Sequence, residues 1–243
     1  MSGAARLGTA GWSVPGVLAD RFPGPGTHLE RYARVMNAVE INSSFYRPHR
    51  RSTYERWAAS TPEDFRFAVK APRVLTHERR LRDPAETLER FADEVAGLGD
   101  RLGVLLVQLP PSLAFDEAVA ARFFDALAER LPVAVVCEPR HASWFTPDVD
   151  AWMAHRRIAR VAADPAPAPG AGEPGGWRGL TYLRLHGSPR IYYSAYAPEV
   201  LAATAERIAR EAAPTWCVFD NTAEGCALPD ALTVMAALGD EPR

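Results

Sequence analysis

The sequence predicts an α/β protein built as a single (β/α)8 TIM-barrel-like domain over residues 1–243. Three observations carry that prediction. Eight short apolar or β-branched runs occur along the chain, most of them followed by a stretch of helical periodicity. Several runs, such as Val104–Leu105–Leu106–Val107 and Val133–Ala134–Val135–Val136, are continuously apolar, as parallel strands covered on both faces are. No glycine-rich GxGxxG follows the first run, which an open doubly wound sheet would be expected to carry.

The expected strands are Arg6–Trp12, Ala38–Phe45, Arg66–Ala71, Leu102–Leu109, Pro132–Glu138, Ile158–Asp164, Leu180–His186 and Thr215–Asn221. Between the third and fourth, Asp83–Ala96 sets Leu88, Phe91, Ala92 and Val95 against Glu86, Glu89, Asp93 and Glu94 at helical spacing. Asp116–Arg130 repeats the pattern with Val119, Phe123, Phe124 and Leu127; Asp116 is its expected N-cap, and Pro132 follows its end. Pro147–His155 and Pro198–Glu211 read as helices with proline at an early position, and Leu228–Leu238 as the last helix. Pro165–Gly179 is rich in Pro, Gly and Ala without helical period. It reads as a loop, so the crossover helix after the sixth strand is expected to be short or absent.

Composition narrows the class. With 47% hydrophobic and 24% charged residues, the chain can bury a core, which excludes intrinsic disorder and fits a soluble globular protein. No apolar run approaches the roughly 18 residues of a membrane span, so no membrane partner is expected. Cys137, Cys217 and Cys226 are odd in number and lack CxxC spacing, which argues against a disulfide framework or a cysteine zinc site. Met1–Trp12 lacks the basic-then-apolar order of a signal peptide, and cytoplasmic residence is the expectation. Of 28 basic residues, 27 are Arg; Lys70 is the single lysine.

In a barrel of this kind the active site lies at the C-terminal ends of the strands. Period-two alternation turns Glu40 and Asn42 inward, opposite Val39 and Ile41, and turns Lys70 inward on the next strand. The fourth strand ends in Gln108 and the fifth in Glu138, with Arg140 just beyond. Tyr182, Arg184 and His186 alternate with Leu183 and Leu185. The eighth ends in Asp220–Asn221, and the pattern does not say which faces inward. Glu40, Lys70 and Glu138 are the acid/base candidates. Trp12, Asn42, Tyr46, Gln108, Arg140, Trp144, Arg184, His186 and Asn221 are the candidate ligand contacts, with Arg140, Arg184 and His186 foremost for an anion. A Glu40–Lys70 ion pair would favour the charged amine, which places anion binding ahead of Schiff-base chemistry.

Arginine clusters point the same way. Arg47, His49, Arg50 and Arg51 follow the second strand without an acid, and Arg73, His77, Arg79, Arg80 and Arg82 follow the third with Glu78. A mouth with a basic rim suits phosphate, nucleotide or nucleic acid. The His186–Gly187–Ser188 turn occupies a region where many barrels hold phosphate. GxxxxGK[ST], HExxH and GxSxG are all absent. No cofactor and no metal site follows from the spacing; Glu40, Glu138, His186 and Asp220 would be the residues to converge on a metal.

At these residues the chain resembles the DUF72 (YecE-like) family. The stretches are GTAGWS at 8–13, VEINSSFYRP at 39–48, FRFAVKAPRVLTH at 65–77, LLVQLPPS at 105–112, EPRHASW at 138–144, YLRLHGSPRIYYSAY at 182–196 and FDNTAEGCA at 219–227. The resemblance implies a TIM-barrel-like fold and no particular reaction. Pro139, Asp220, Asp230 and Val14 depart from the family's usual Phe, Asn, Asn and Tyr. The leading expectation is a barrel with a polar pocket for a phosphorylated or other anionic ligand, as an enzyme or otherwise. The alternatives are a nucleic-acid-binding or nucleic-acid-processing protein and a non-catalytic binding barrel.

Overall fold

The computed structural model describes residues 5–239; the ends of the expected domain, 1–4 and 240–243, lie outside the described residues. Among the described residues there are ten strands and seven α-helices, where eight strands and five helices were expected. The strands are β1 (Arg6–Thr9), β2 (Ala38–Ile41), β3 (Arg66–Lys70), β4 (Leu102–Gln108), β5 (Ala134–Glu138), β6 (Ile158–Arg160), β7 (Ala162–Asp164), β8 (Gly175–Gly176), β9 (Thr181–Leu185) and β10 (Thr215–Phe219). The helices are α1 (His28–Ala33), α2 (Arg51–Ala59), α3 (Ala85–Val95), α4 (Glu117–Arg130), α5 (Pro147–His155), α6 (Pro198–Arg210) and α7 (Ala227–Ala237).

The ladders form two sheets, β2-β3-β4-β5-β6-β8 and β1-β10-β9-β7, with every pair parallel except β6–β8. The sixth expected strand is divided at Val161. Its first half pairs with β5 and its second with β9, so one stretch of chain serves both sheets. On the other side, a parallel bridge between Ala10 and Glu40 joins the ends of β1 and β2. Gly8 allows these strands to approach: a Cβ there would stand 2.8 Å from the Ala38 carbonyl carbon.

Alternation along the strands sorts the apolar residues into two cores. Val39, Ile41, Val69, Leu105, Val107, Cys137, Leu183 and Phe219 face the helices, packing with residues such as Phe91, Phe123, Leu127 and Leu232. Ala38, Ala68, Val104, Leu106, Val136, Ala159, Val161, Tyr182, Trp216 and Val218 meet in a second cluster contributed by both sheets. Burial at roughly 25 cal/mol per Å² makes both faces contribute to stability, which explains the continuously apolar runs.

Local signals set the helix starts. Asp116 accepts from the Val119 amide at 3.1 Å and caps α4 as expected. Thr27 and Glu30 form a reciprocal capping box at the start of α1. Between β7 and β9 there is no helix. The loop instead carries β8, antiparallel to β6, held by Arg160, which donates to Asp150 at 3.1 Å and to the Gly170 carbonyl at 2.9 Å. No helix among the described residues is long and apolar enough to cross a membrane.

Candidate functional site

Because the principal strands run parallel, their C-terminal ends share one face. Inward alternation then places Glu40, Lys70, Gln108, Glu138, Arg184, His186 and Asp220 beyond the second core, all of them buried. Arg184 is fully buried at the centre. Its Nε and Nη2 donate to the two Glu40 oxygens at 3.0 and 2.8 Å, and its Nη1 donates to Glu138 Oε2 at 3.0 Å. Its Nη2 also lies 2.9 Å from Asp220 Oδ2. Tyr182 donates its hydroxyl to Glu40 Oε2 at 2.9 Å. His186 spans Asp220 and Glu138, each at 3.0 Å. Arg140 reaches Glu138 Oε1 at 3.0 Å and the Tyr192 hydroxyl at 3.3 Å, and Tyr192 packs edge-on to His186.

These contacts fix the charges. Burial would lower the Arg184 guanidinium's pKa, but Asp220, Glu40 and Glu138 hold it well above its usual range. Burial would raise the Glu138 carboxyl, yet Arg184, His186 and Arg140 hold it well below the ordinary value. Asp220 is likewise lowered against its burial, by Arg184 and His186. His186 is raised despite burial because Glu138 and Asp220 flank it, which favours the imidazolium with both ring nitrogens donating.

Lys70 does not pair with Glu40 as expected. Arg184 and Tyr182 occupy the Glu40 oxygens, and the Lys70 amine forms no hydrogen bond or ion pair among the described residues. It rests 4.1 Å from the centroid of the Phe45 ring. Burial first, and Arg184 second, bring its pKa down to about 8. Gln108 stands on the strand between Lys70 and Glu138, in register with Glu138, and its side-chain amide makes no hydrogen bond among the described residues.

A profile of the family described as "Protein of unknown function DUF72" matches residues 6–243. The chain belongs to the DUF72 family. Its UPF0759 relative YecE of Escherichia coli K12 is 31% identical over 147 residues, which are 58% of this chain and 53% of YecE. UPF0759 protein YunF of Bacillus subtilis is 25% identical over 58% of this chain and 52% of its own length. The chain thus matches about half the length of these relatives. Among solved structures, a DUF72 protein of Enterococcus faecalis superposes with a TM-score of 0.81 at 21% identity, covering 97% of this chain and 96% of that one. A DUF72 protein of Thermotoga maritima gives 0.78 at 25% identity, covering 97% and 100%.

Within this DUF72 chain the other candidates disperse. Trp12 and Asn42 line a neighbouring cleft of about 600 Å³ with Gly11, Ser13, His28 and Leu228. Asn42 Oδ1 is buried there without a partner, and Trp12 packs edge-on to Trp57. Trp144 is buried, apart from the cluster, and its indole donates to the Leu113 carbonyl at 2.9 Å. Asn221 turns away from the cluster and donates to Asp230 at 2.7 Å and to the Ser194 carbonyl at 2.9 Å, leaving Asp220 as the inward residue. Tyr46 is 67% exposed and packs edge-on to Phe45.

The basic rim is partly neutralised. Arg51 pairs with Glu55 and Asp93, Arg73 with Glu78, and Arg82 with Asp116. The Gly187 amide donates to the Tyr196 hydroxyl at 2.9 Å, so the turn after β9 does not present that donor to a phosphate. Among the described residues no group of three or more His, Cys, Asp or Glu is arranged to hold a metal. Arg184 stands between the carboxylates that would converge on one. Asp220, named above only as a possible metal ligand, and Tyr182, read only as alternating with Arg184 and His186, join the cluster although neither was among the acid/base or ligand-contact candidates.

Proposed function

We propose that the chain is a single (β/α)8 barrel whose strand-end pocket binds a small phosphorylated or otherwise anionic molecule. Closure is supported by the stretch Ile158–Asp164 shared by the two sheets, by the Ala10–Glu40 bridge and by the apolar cluster to which both sheets contribute. The observation that carries the ligand class is the unpartnered Lys70 amine. Three buried carboxylates pair directly with Arg184, Arg140 and His186, while the lysine feels them only at longer range and has no ion-pair partner of its own. A buried charge without a partner is costly, and an anion beside it relieves that cost.

In this reading Lys70 and Gln108 contact the ligand, Arg140 sits at the pocket's edge, and Glu40, Glu138 and Asp220 hold Arg184 and His186 in place. Carboxylates so engaged are poor bases, so proton transfer falls to Lys70. Ion pairs at Arg51, Arg73 and Arg82 favour a compact anion over a nucleic-acid backbone, which needs many free cations. Cytoplasmic residence accords with such a ligand.

Thermal unfolding in phosphate or pyrophosphate, against potassium chloride of equal ionic strength, tests the reading. Binding to the folded state raises the melting temperature with anion concentration. The rise is expected in the natural protein and is expected to vanish in Lys70→Met. An identical response to chloride and phosphate overturns it.

A further inference from the structure

We propose that Lys70 condenses with the carbonyl of an anionic aldehyde or ketone to form a Schiff base, which deepens the anion-pocket reading and rests on it. The argument begins with saturation. Every carboxylate, guanidinium and imidazole of the buried cluster has at least one charged partner, while the amine of Lys70 and the amide of Gln108 have none. The two lie on adjacent parallel strands, β3 and β4, and both follow the inward alternation of Ala68 and of Val104 and Leu106. An amine engaged by a carboxylate is held as ammonium and is no nucleophile. One resting on the Phe45 ring, 4.1 Å from its centroid, is held as ammonium by the ring face less strongly than by a paired carboxylate.

The environment favours that loss. Burial and the Arg184 charge act against the ammonium; Glu40, Asp220 and Glu138 favour it and are outweighed, with Lys70 in turn lowering His77. At pH 7 the neutral fraction is about 300-fold that of an ordinary lysine. The ammonium first gives a proton to solvent. The nitrogen lone pair then forms the C–N bond as the carbonyl π pair moves to oxygen, which takes up a proton. Loss of that oxygen as water, with one further proton added and one taken from nitrogen, leaves the protonated imine. The net change is ammonium plus carbonyl to iminium plus water, with no oxidant or reductant. The Gln108 N–H is the donor placed on the adjacent strand for the carbonyl oxygen.

Because Lys70 is the chain's single lysine, its modification can be read directly. The folded protein is incubated with glyoxylate and cyanoborohydride, and peptides are mapped by mass. A parallel sample is unfolded in urea, and another receives propionaldehyde. Lys70 is expected to be carboxymethylated at least tenfold faster in the folded than in the unfolded chain, with half-maximal rate near pH 8, while Lys70→Met gains no adduct at that position. No acceleration on folding, with phosphate stabilisation retained, overturns the Schiff base and leaves the anion pocket standing. Equal acceleration by propionaldehyde and glyoxylate, without phosphate stabilisation, overturns the anion reading. Absence of both responses overturns the two together.

Discussion

Arg184 has no exposed surface and touches three carboxylates, so its removal leaves three buried negative charges with His186, Arg140 and Tyr182 in direct contact and Lys70 at longer range to offset them. Breaking such a network from one side costs about 3–5 kcal/mol. Arg184→Met is therefore expected to lose stability on that scale in urea unfolding, and a loss below about 1 kcal/mol would contradict the account. Lys70 has the opposite sign. Its folded pKa of about 8 lies below the ordinary 10.5, so between those values the unfolded chain holds a proton the folded chain has released. Stability then rises with pH across that window, and the lysine's penalty is fullest below pH 8. Lys70→Met removes the charge, and it is expected to be about 1–3 kcal/mol more stable than the natural protein at pH 7. The difference should shrink toward pH 10.5. A variant that is less stable at pH 7 would mean that the amine is paired after all.

At the scale of elements, β1 and β2 meet through one bridge, and Gly8 makes the approach possible. Gly8→Ala sets a methyl 3.2 Å from the Val39 Cα and against the Ala38 carbonyl. A loss of about 1–3 kcal/mol is expected by urea unfolding, the scale of an overpacked core. An unchanged midpoint would show that the two strands part at little cost. Elements also show what a sequence can reveal. Alternation was enough to place Glu40, Lys70, Arg184 and His186 on one face, because apolar neighbours mark the other face of β2, β3 and β9. On β10 both faces are apolar, with Trp216 and Val218 opposite Cys217 and Phe219, so hydropathy could not assign Asp220 inward. The partner of Glu40 lies 144 residues away, and nothing local chooses Arg184 over Lys70. Helix α2 is not marked by helical periodicity, because Tyr54, Trp57 and Ala58 are its main apolar residues, and Arg51, expected in the basic rim, is its first residue. Helix α1 did carry a signal, the Thr27–Glu30 capping box.

At the scale of the whole molecule, parallel strands gather charged residues from five strand ends into one cluster in which Arg184, Arg140 and His186 pair with the three carboxylates and one amine is left without an ion pair. The proposed function depends on that remainder. The most direct test is a crystal of the natural protein soaked in selenate, read by the anomalous signal of selenium. The account predicts a selenate oxygen within about 3 Å of the Lys70 amine, at the strand ends beside Gln108. Selenate bound only elsewhere on the surface, with the amine still resting on the Phe45 ring, would contradict it.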